Sequence, residues 1–314
     1  MSRIIDLIGV ASGLGGADGN CAQAPARLAA RGLDSHLRRN GGHAAWAATL
    51  VPQRLGGGAP RAVARLCARL AAQVAQSIRA GRLPCVIGGD HSCAAGTWMG
   101  AARALECQRR SEDSTLPGGR LGLVWIDAHM DAHTPGTSPS GRLHGMPLAA
   151  LLGQCDHALE GLEDGVLAGR HICLVGVRSY EPEEAALLAR LGVTVFGMQD
   201  IERHGLKRVF EDALSVAGAG TAGYGITLDL DALDPADAPA VATPEPHGIR
   251  GDELVKALEP IGQDPRLAAF ELAEYCPRRD RNRRTERLIL RILFAALCGS
   301  AEDPKVVADS LKAA

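Results

Sequence analysis

The stretch that decides the fold is Leu121-Gly-Leu-Val-Trp-Ile126, followed at once by Asp127-Ala-His129-Met-Asp131. An uninterrupted apolar run of this length is typical of a strand that is buried on both faces, as in a parallel sheet. The three polar side chains after it alternate along the chain, and alternate side chains of an extended segment lie on the same face. The sequence therefore predicts a buried strand whose carboxyl end carries converging carboxylates and an imidazole.

Two further apolar runs end in the same way. Residues 84–87 precede a Gly-Gly-Asp-His-Ser motif at residues 88–92, and residues 224–228 precede an Asp-Leu-Asp-Ala-Leu-Asp-Pro motif at residues 229–235. So many carboxylates are costly to bring together unless a positive group lies between them, and the simplest such group is a pair of divalent metal ions. The candidate metal ligands are His91, Asp127, His129, Asp131, Asp229 and Asp231.

The chemistry of these six side chains indicates the class of metal. Carboxylate-rich ligation without thiolate suits a hard ion such as Mn²⁺ better than structural zinc, although affinity alone does not exclude Co²⁺, Ni²⁺ or Zn²⁺. Two ions close together lower the pKa of a shared water molecule and polarise a substrate. Taken singly, each motif is also compatible with a solvated loop, a helix-capping turn or an Asp-Pro turn. Their occurrence after three separate strands favours the metal site.

Predicted strands alternate with predicted helices along the chain. Such alternation predicts an α/β fold with three layers, α/β/α, around a mainly parallel central sheet, in which ligands bind beyond the carboxyl ends of the strands. Strands are predicted at residues 4–10, 84–87, 121–126, 171–177, 193–197, 224–228 and 267–272. Helices are predicted at residues 24–39, 61–80, 94–105, 182–191, 206–216, 252–261 and 285–297. Asp252 is predicted to be an N-cap.

The chain is predicted to form one domain. No low-complexity linker interrupts it, and the segments at residues 52–60 and 111–119 are predicted to be surface loops. A single α/β domain over residues 1–314 is compatible with this length.

Composition excludes several classes of partner. With 46% hydrophobic residues the chain can bury a large core, and a net charge of −2 gives no reason to expect nucleic acid or an anionic membrane as a partner. The first residues lack the pattern of a signal peptide, and no apolar run is long enough to span a bilayer. Nine cysteines, none in a Cys-x-x-Cys pair, indicate reduced thiols and predict a cytoplasmic protein.

At the three motifs the chain resembles the ureohydrolase superfamily, which includes arginase and agmatinase. The motifs match in order and spacing, and the resemblance extends to the loop at residues 15–25 and to Glu274, so it covers almost the whole chain. It implies a three-layer α/β/α fold, two manganese ions, a small guanidino substrate and a homo-oligomer, trimeric or hexameric. The implied reaction is attack of a metal-bridging hydroxide on a guanidinium carbon, which gives urea and an amine.

The resemblance also implies a role for each candidate residue. One manganese would be held by His91, Asp127, Asp131 and Asp229, and the other by Asp127, His129, Asp229 and Asp231. Outside this set, His144 is suited to proton transfer, and Asp234 is placed to hydrogen-bond the nucleophile or a ligand. Glu274 would bind the substrate guanidinium through charge-assisted hydrogen bonds. Two alternatives stay open: His144 packs beneath its loop, or Glu274 is an acid at the start of a surface helix.

A loop at residues 134–147 resembles arginases more than typical agmatinases, and in arginases this loop recognises the α-carboxylate and the α-amino group. Ser140 is retained at one such position, whereas His133 and Arg142 stand where arginases commonly carry asparagines. Glu181 occupies the place of an acid that meets the α-amino group. These positions therefore bear on which guanidine is bound.

Charge favours L-arginine among the candidate substrates. Arg142 would attract a carboxylate and repel the terminal ammonium of agmatine, whereas Glu181 would attract an α-ammonium. Arginine satisfies both residues, and 4-guanidinobutanoate satisfies only Arg142. The alternative is that Arg142 points into solvent or across a subunit boundary. At the other end of the substrate, Thr243 matches a threonine near the guanidinium group.

Other functional classes have less support. A deacetylase-like metal amidohydrolase would hold one zinc ion with fewer acidic ligands. A non-catalytic binding protein of the same fold would have lost metal ligands, and none is missing here. The basic residues at 278–284 have no aromatic residue among them and are interpreted as a solvated face or an oligomer contact, not as a nucleic-acid site.

Overall fold

The computed structural model describes residues 3–39, 41–53, 58–111, 121–155 and 165–299. Eight strands in these ranges form one sheet in which every neighbouring pair is parallel. They are β1 (Ile4–Val10), β2 (His43–Leu50), β3 (Leu83–Ile87), β4 (Leu121–Ile126), β5 (Ile172–Val177), β6 (Thr194–Gly197), β7 (Gly223–Asp229) and β8 (Leu267–Ala273). The strand order is β2-β1-β3-β8-β7-β4-β5-β6.

Ten α-helices in the described ranges accompany the sheet. They are α1 (Ala24–Ala30), α2 (Leu33–Arg39), α3 (Gly58–Arg79), α4 (Ala94–Ser111), α5 (Pro147–Leu151), α6 (Pro182–Arg190), α7 (Met198–His204), α8 (Leu206–Gly218), α9 (Gly251–Leu258) and α10 (Arg284–Cys298). Within those ranges, none of these helices combines the length and the apolar character that crossing a membrane would require.

Alternation of side chains along the strands divides the core into two layers. Leu7 and Ile126 belong to a cluster that includes residues of α1, α2 and α7–α10. Their neighbours Ile8 and Trp125 belong to a second cluster, which includes residues of α3–α6. Helices therefore cover both faces of the sheet, and the predicted three-layer α/β/α fold with a parallel sheet is confirmed.

The edge strand β2 is absent from the prediction. Four of the eight residues in its sequence, HAAWAATL, are alanine, which has low strand propensity. Its side chains alternate between buried and exposed positions for most of its length, as expected at a sheet edge. Pairing with β1 in parallel register, and not local preference, makes this segment a strand.

Two of the predicted helices differ from the structure by a break or by the residue that caps them. The helix predicted at 24–39 is divided at Gly32, whose φ of +69° ends α1 before α2 begins. In α9 the N-cap is Arg250 and not Asp252, and the helix ends at Leu258, before a 3₁₀ turn. Asp252 lies in the first turn, where its carboxylate is 2.7 Å from Arg291 Nη2 on α10. The predicted cap is therefore wrong because the helix already begins at Gly251, one residue before Asp252.

Of the two predicted surface loops, the first is shorter in the structure, and most of the second lies outside the described residues. Helix α3 begins at Gly58, so the last part of the predicted loop at 52–60 is helical. Of the predicted loop at 111–119, residue 111 ends α4 and residues 112–119 lie outside the described residues.

The strand order brings the sequence motifs to one place. Strands β3, β8, β7 and β4 are consecutive neighbours at the centre of the sheet. The 88–92, 127–131 and 229–235 motifs follow β3, β4 and β7, and Glu274 follows β8. Parallel strands lie about 4.8 Å apart, and their carboxyl ends share one edge of the sheet. Segments far apart in the sequence therefore meet at the same edge of the sheet.

Candidate metal centre and active site

The first group of candidate ligands surrounds the ring of His91. Its Nδ1 lies 3.2 Å from Asp127 Oδ2, 2.9 Å from Asp131 Oδ2 and 3.2 Å from Asp229 Oδ2. All four side chains are buried, and together they could hold a metal ion. Three carboxylates thus converge on one imidazole nitrogen.

A second group shares Asp127 with the first. His129 Nδ1 lies 3.5 Å from Asp127 Oδ1 and 3.2 Å from Asp231 Oδ2, and these three residues could also hold a metal ion. One carboxylate oxygen of Asp127, Oδ2, thus faces the first group, and the other, Oδ1, faces the second. The structure brings all six predicted ligands together in two adjoining groups.

Each motif is shaped by its first aspartate. Asp127 Oδ1 accepts the His129 backbone N–H at 2.7 Å, and Asp229 Oδ1 accepts that of Asp231 at 2.9 Å. Such bonds to the residue two positions ahead define Asx turns, which direct the chain sharply away from a strand end. Asp131 has a φ of +49°, a strained conformation of the kind found at functional sites.

The double glycine before His91 has a steric cause. A Cβ atom added at Gly89 would lie 1.7 Å from the backbone oxygen of Ser12. That same oxygen accepts the Asp90 N–H at 3.0 Å. Only glycine permits this close approach, which fixes the loop that carries His91.

The electrostatics of the cluster fit a cation. Burial, followed by the charge of Asp231, raises the pKa of Asp229 well above its usual value. Burial and Asp127 raise the pKa of Asp131 to about 6. His91 Nδ1 and Asp131 Oδ2 have no hydrogen-bond partner among the described residues. Divalent ions would neutralise the carboxylates and satisfy these two buried atoms, so the donor set fits the predicted pair of metals.

Glu274 and His144 border the cluster. Glu274 is buried, and its Oε1 accepts the His91 backbone N–H at 2.9 Å and lies 3.1 Å from His144 Nδ1. Although burial disfavours an imidazolium, the hydrogen bond and charge of Glu274 raise the pKa of His144 to about 9. Glu274 follows a central strand with a φ of +66°, so the alternative of a surface acid at a helix start is wrong.

His133 is placed in an acidic pocket beside this site. Its Nε2 lies 2.9 Å from Glu181 Oε2 and 3.4 Å from Glu184 Oε2, and its Nδ1 lies 3.2 Å from Thr137 Oγ1. Glu184, which the sequence interpretation missed, is buried and accepts the Ala132 N–H at 3.0 Å. The signal that could have found it is its place three residues after Glu181, in the first turn of α6.

The two remaining loop positions are exposed. Ser140 Oγ accepts the backbone N–H of Arg142 at 3.3 Å, and both residues lie on the surface. Within the described ranges no acidic side chain pairs with the Arg142 guanidinium. The structure therefore places these two residues on an exposed loop, whereas His133 is buried.

The Asp234 carboxylate is hydrogen-bonded to the backbone of the loop that follows it. Its carboxylate accepts the N–H groups of Ala236 at 2.8 Å and Gly248 at 3.2 Å, and the first of these bonds is the main reason that its pKa is lowered. These bonds close a turn after Asp231. In the described residues the backbone thus takes up both Asp234 oxygens, and the predicted hydrogen bond to the nucleophile or to a ligand stays a prediction.

The basic residues at 278–284 make contacts within the chain. Arg279 pairs with Asp18 at 2.9 Å, Arg283 with Glu286 at 2.7 Å, and Arg284 with Asp237 at 3.6 Å. These ion pairs connect the segment after β8 to neighbouring loops.

Without metal, the titratable groups in and around the candidate metal centre predict an unusual pH dependence of the stability of the fold. The pKa values of Asp131, Glu184 and His144 are raised to about 6, 8 and 9, so the folded state binds more protons than the unfolded state above pH ~4. Stability should then fall as the pH rises from about 5 to 8. Thermal denaturation of chelator-treated protein across that range checks this, and a melting temperature that rises with pH would contradict it. Added Mn²⁺ should reverse the trend because its ligands bind it deprotonated.

Residues 7–299 match the protein family described as the Arginase family. The chain belongs to this family. An arginase of Bacillus caldovelox is 37% identical over 235 residues, which are 74% of this chain and 74% of that protein. An arginase of Bacillus subtilis is 34% identical over 231 residues, 73% of each chain. The solved structure of the Bacillus caldovelox arginase has a TM-score of 0.84 and 31% identity, and the match covers 95% of this chain and 99% of that one.

Family membership determines the class of enzyme. The chain is a hydrolase that acts on carbon–nitrogen bonds of linear amidines, in a metal-dependent family. The buried histidine and aspartate groups described above are its candidate metal site. A deacetylase-like role is disfavoured by this assignment.

A second set of residues, absent from the sequence interpretation apart from Thr243, orients the candidate ligands. Trp125 Nε1 donates to Asp127 Oδ2 at 2.9 Å, and Thr243 Oγ1 donates to Asp231 Oδ2 at 2.9 Å. Trp125 lies in the apolar run itself, and nothing in its local sequence indicates the contact. Thr243 was expected near the guanidinium group, and in the structure its hydroxyl contacts the candidate ligand Asp231.

A buried threonine and glutamate hold the ring of His91. The Thr227 hydroxyl donates to Glu271 Oε1 at 2.9 Å and lies 2.9 Å from His91 Nε2. Since its single proton goes to Glu271, the hydroxyl accepts from Nε2–H, and Nδ1 keeps its lone pair toward the carboxylates. Glu271 stands alone among apolar residues of β8, and this is the signal by which the sequence could have revealed it.

Thr227→Val should weaken metal binding by about 10- to 100-fold, because the ring of His91 loses the bond that fixes its tautomer. Titration of the metal-free protein with Mn²⁺ by calorimetry measures this directly. Thr221→Val is the matched control, since the Thr221 hydroxyl donates to Ala217 O at the end of α8, far from the site. Equal metal affinity in the two variants would contradict the role of Thr227.

Proposed function

We propose that this protein hydrolyses L-arginine to L-ornithine and urea with two manganese ions. The observation that carries the proposal is the convergence of four aspartates and two histidines beside a buried glutamate–histidine pair, at the carboxyl ends of the central strands. Membership of the arginase family and the names of the relatives support the choice of reaction.

The six convergent side chains are proposed as the metal ligands. His91, Asp127, Asp131 and Asp229 would hold one ion, and Asp127, His129 and Asp231 would hold the other. The family resemblance implies that Asp229 would also be a ligand of the second ion. Oxygen-rich ligation without thiolate favours Mn²⁺. When bound, the ions would supply a water molecule of lowered pKa and a positive field for the substrate.

Glu274 and His144 are proposed to act on the substrate. The carboxylate of Glu274 would accept hydrogen bonds from the guanidinium group, a charge-assisted contact in a buried setting. Glu274 also accepts from His144 Nδ1, so the pKa of about 9 keeps that ring protonated at neutral pH. His144 can therefore donate a proton from Nε2 to the departing amine.

The loop around the cleft is proposed to hold the amino-acid end of arginine. The exposed Arg142 guanidinium would bind the α-carboxylate with Ser140 beside it. Glu181 and Glu184 would face the α-ammonium. Thr243 would keep Asp231 oriented near the guanidinium end through its hydrogen bond.

One observation favours a second candidate, a guanidino acid such as 4-guanidinobutanoate. His133 Nε2 already lies 2.9 Å from Glu181 Oε2, so an α-ammonium would have to share or displace that contact. A substrate with a carboxylate and no α-ammonium would use Arg142 alone. Agmatine is the least favoured of the three because its ammonium would face Arg142.

Urea release by Mn²⁺-loaded protein on arginine, agmatine and 4-guanidinobutanoate tests the proposal. Highest kcat/KM on arginine supports it, and a preference for 4-guanidinobutanoate selects the second candidate. Preference for agmatine would overturn the assignment of the substrate's tail. No urea from any of the three would overturn the proposed function.

Arg142→Asn should lower kcat/KM for arginine by about tenfold or more while changing that for agmatine little or raising it, because the lost charge attracted a carboxylate. The ratio of the two kcat/KM values is the measurement. Arg203→Asn, at an exposed position of α7, is the matched control. An unchanged ratio in Arg142→Asn would show that Arg142 does not bind the substrate's tail.

We further propose a single-domain cytoplasmic enzyme that assembles as a trimer or hexamer. The family match over residues 7–299 supports one domain, and the family resemblance supports the assembly. The nine cysteines, all free in the structure, support a reducing compartment. Sedimentation of the purified protein measures the oligomeric state.

A further inference from the structure

Two buried cysteines lie against the proposed substrate-binding glutamate. Cys21 is in the 3₁₀ turn Gly19–Gln23, and Cys276 follows Glu274 by two residues. Both side chains are fully buried and form a small apolar cluster with Ala242. Their sulfur atoms are 2.7 Å apart, and Cys21 Sγ lies 3.4 Å from Glu274 Oε2.

The separation of the sulfur atoms is too short for ordinary packing of two thiols. Non-bonded carbon atoms approach to about 3.5–4.0 Å, and sulfur is larger than carbon. A disulfide bond is about 2.05 Å long. The observed 2.7 Å is therefore closer to the bond than to a contact, and closing the remainder requires a shift of well under 1 Å.

The backbone around both cysteines is held by specific bonds. Cys276 N–H donates to Ala240 O at 2.8 Å, which fixes the segment after β8. Arg279 Nε donates to Asp18 Oδ2 at 2.9 Å, and this ion pair joins the loop before Cys21 to the turn after Cys276. The two thiols are thus kept together by contacts that do not involve sulfur.

We propose that Cys21 and Cys276 form a reversible disulfide that modifies the environment of Glu274. The number and spacing of the nine cysteines predict that their thiols are reduced in the cell. Disulfides that form in a reducing compartment are usually transient and serve catalysis or redox sensing. The oxidant is a small neutral peroxide, because it must reach two thiols that are shielded from bulk solvent. The part of the proposal that concerns Glu274 rests on the proposed function.

The chemistry balances with one molecule of hydrogen peroxide. Cys21 sulfur attacks one peroxide oxygen, the O–O bond breaks, and the departing hydroxide leaves with the thiol proton as water. Cys276 sulfur then attacks the resulting sulfenic acid, the S–O bond breaks, and a second water forms. Two electrons pass from the thiols to the peroxide. The hydrogen bond with Cys276 and burial raise the pKa of Cys21, so the first step should be slow.

Oxidation removes a hydrogen-bond donor from Glu274. In the reduced protein the Cys21 thiol donates to Oε2, whereas Oε1 accepts from His91 N–H and faces His144. A disulfide has no proton to donate, so Oε2 loses this partner while the sulfur atoms draw together. We expect KM for the guanidino substrate to rise by about three- to tenfold on oxidation, with full recovery on reduction.

The test uses Mn²⁺-loaded full-length protein carrying Cys107→Ser, which removes the exposed thiol that peroxide would meet first. After treatment with hydrogen peroxide, free thiols are alkylated and the unreduced protein is digested for mass spectrometry. We expect a linked peptide pair containing Cys21 and Cys276, loss of two alkylatable thiols, and a melting temperature higher by about 5 °C or more. A thiol reductant should reverse all three changes.

Cys276→Ser and Cys276→Ala in the same background are the matched controls. Both should lack the linked pair and show the same KM before and after peroxide, and circular dichroism verifies that each is folded. Alkylated Cys21 and Cys276 in the treated parent would overturn the disulfide. A linked pair with unchanged KM would overturn its effect on Glu274. If the reduced protein released no urea from any guanidine, the proposed function would fail, while the peptide map would still decide whether the disulfide exists.

Discussion

Asp229→Asn should reduce urea release by at least about a thousandfold, the largest loss expected for any single substitution in this protein. Asp229 Oδ2 lies 3.2 Å from His91 Nδ1, and its other oxygen accepts the Asp231 N–H at 2.9 Å. Asparagine preserves the size of the side chain and the bond to Asp231 but removes the charge. The variant should therefore keep its fold and lose most of its affinity for metal.

The same substitution should have the opposite effect on the metal-free protein. Burial and the neighbouring carboxylates raise the pKa of Asp229, so its ionised form is unfavourable without a cation. Removing this charge should raise the melting temperature of chelator-treated protein by about 2 °C or more. Asp229 would then be required for metal binding and would also destabilise the metal-free protein.

Metal content, urea release and melting temperature with and without Mn²⁺ measure both effects. Asp212→Asn is the matched control, because Asp212 lies on the outer face of α8 and pairs with Arg208. Full metal occupancy and near-normal urea release by Asp229→Asn would refute its role as a ligand. A lower melting temperature in the metal-free variant would refute the repulsion argument.

Glu274→Gln should lower kcat/KM for the guanidino substrate by about 100- to 1,000-fold and leave the two metal ions bound. Among the described residues, Glu274 is buried, accepts the His91 backbone N–H and contacts the His144 ring, and no hydrogen bond joins its carboxylate to the side chain of a candidate ligand. Glutamine can still accept from both of these groups. What it loses is the negative charge opposite a guanidinium ion.

This substitution separates substrate binding from metal binding. Metal analysis of Glu274→Gln should give the same stoichiometry as the parent, and the loss should appear mostly in KM if the carboxylate binds ground state and transition state alike. The pKa of His144 should also fall, because the hydrogen bond and charge of Glu274 raise it. Glu253→Gln, at an exposed position of α9, is the control. Loss of metal from Glu274→Gln would mean that Glu274 supports the metal centre and not the substrate.

Both substitutions lie at or near strained backbone. Glu274 itself has a positive φ, and Asp229 faces the same His91 nitrogen as Asp131, which also has one. Asp131 and Glu274 both have positive φ, which non-glycine residues rarely adopt. Asp131 follows β4 and Glu274 follows β8, at the edge of the sheet where the candidate ligands meet. Such strain persists because the central strands and their hydrogen bonds over-determine these loops.

The candidate ligands could be predicted because their pattern is local. Each cluster follows an apolar run, and side chains at alternate positions face the same way in any extended segment. A strand–helix alternation implies parallel strands, and parallel strands place their carboxyl ends at one edge. These rules need only the residues between 84 and 235, and they are sufficient to assemble His91, Asp127 and Asp229 into one site.

The edge strand β2 and the Asp252 cap could not be predicted in this way. An alanine-rich segment has no strong preference for a strand, and only its partner β1 decides its conformation. Asp252 has the chemistry of a cap, but the chain is already helical at Gly251, and the Asp252 carboxylate pairs with Arg291 on α10. For β2, pairing with a neighbouring strand outweighs a local preference of the order of 1 kcal/mol.

What the sequence by itself determined is the fold class, the family and the set of groups that can bind metal, because each depends on spacing along the chain. Only the tertiary structure decided how those groups are supported. Thr227 reaches His91 across 136 positions, and Cys21 meets Cys276 across 255. Contacts between distant segments depend on how the central strands are ordered, and no local pattern of residues encodes the partner of a buried side chain.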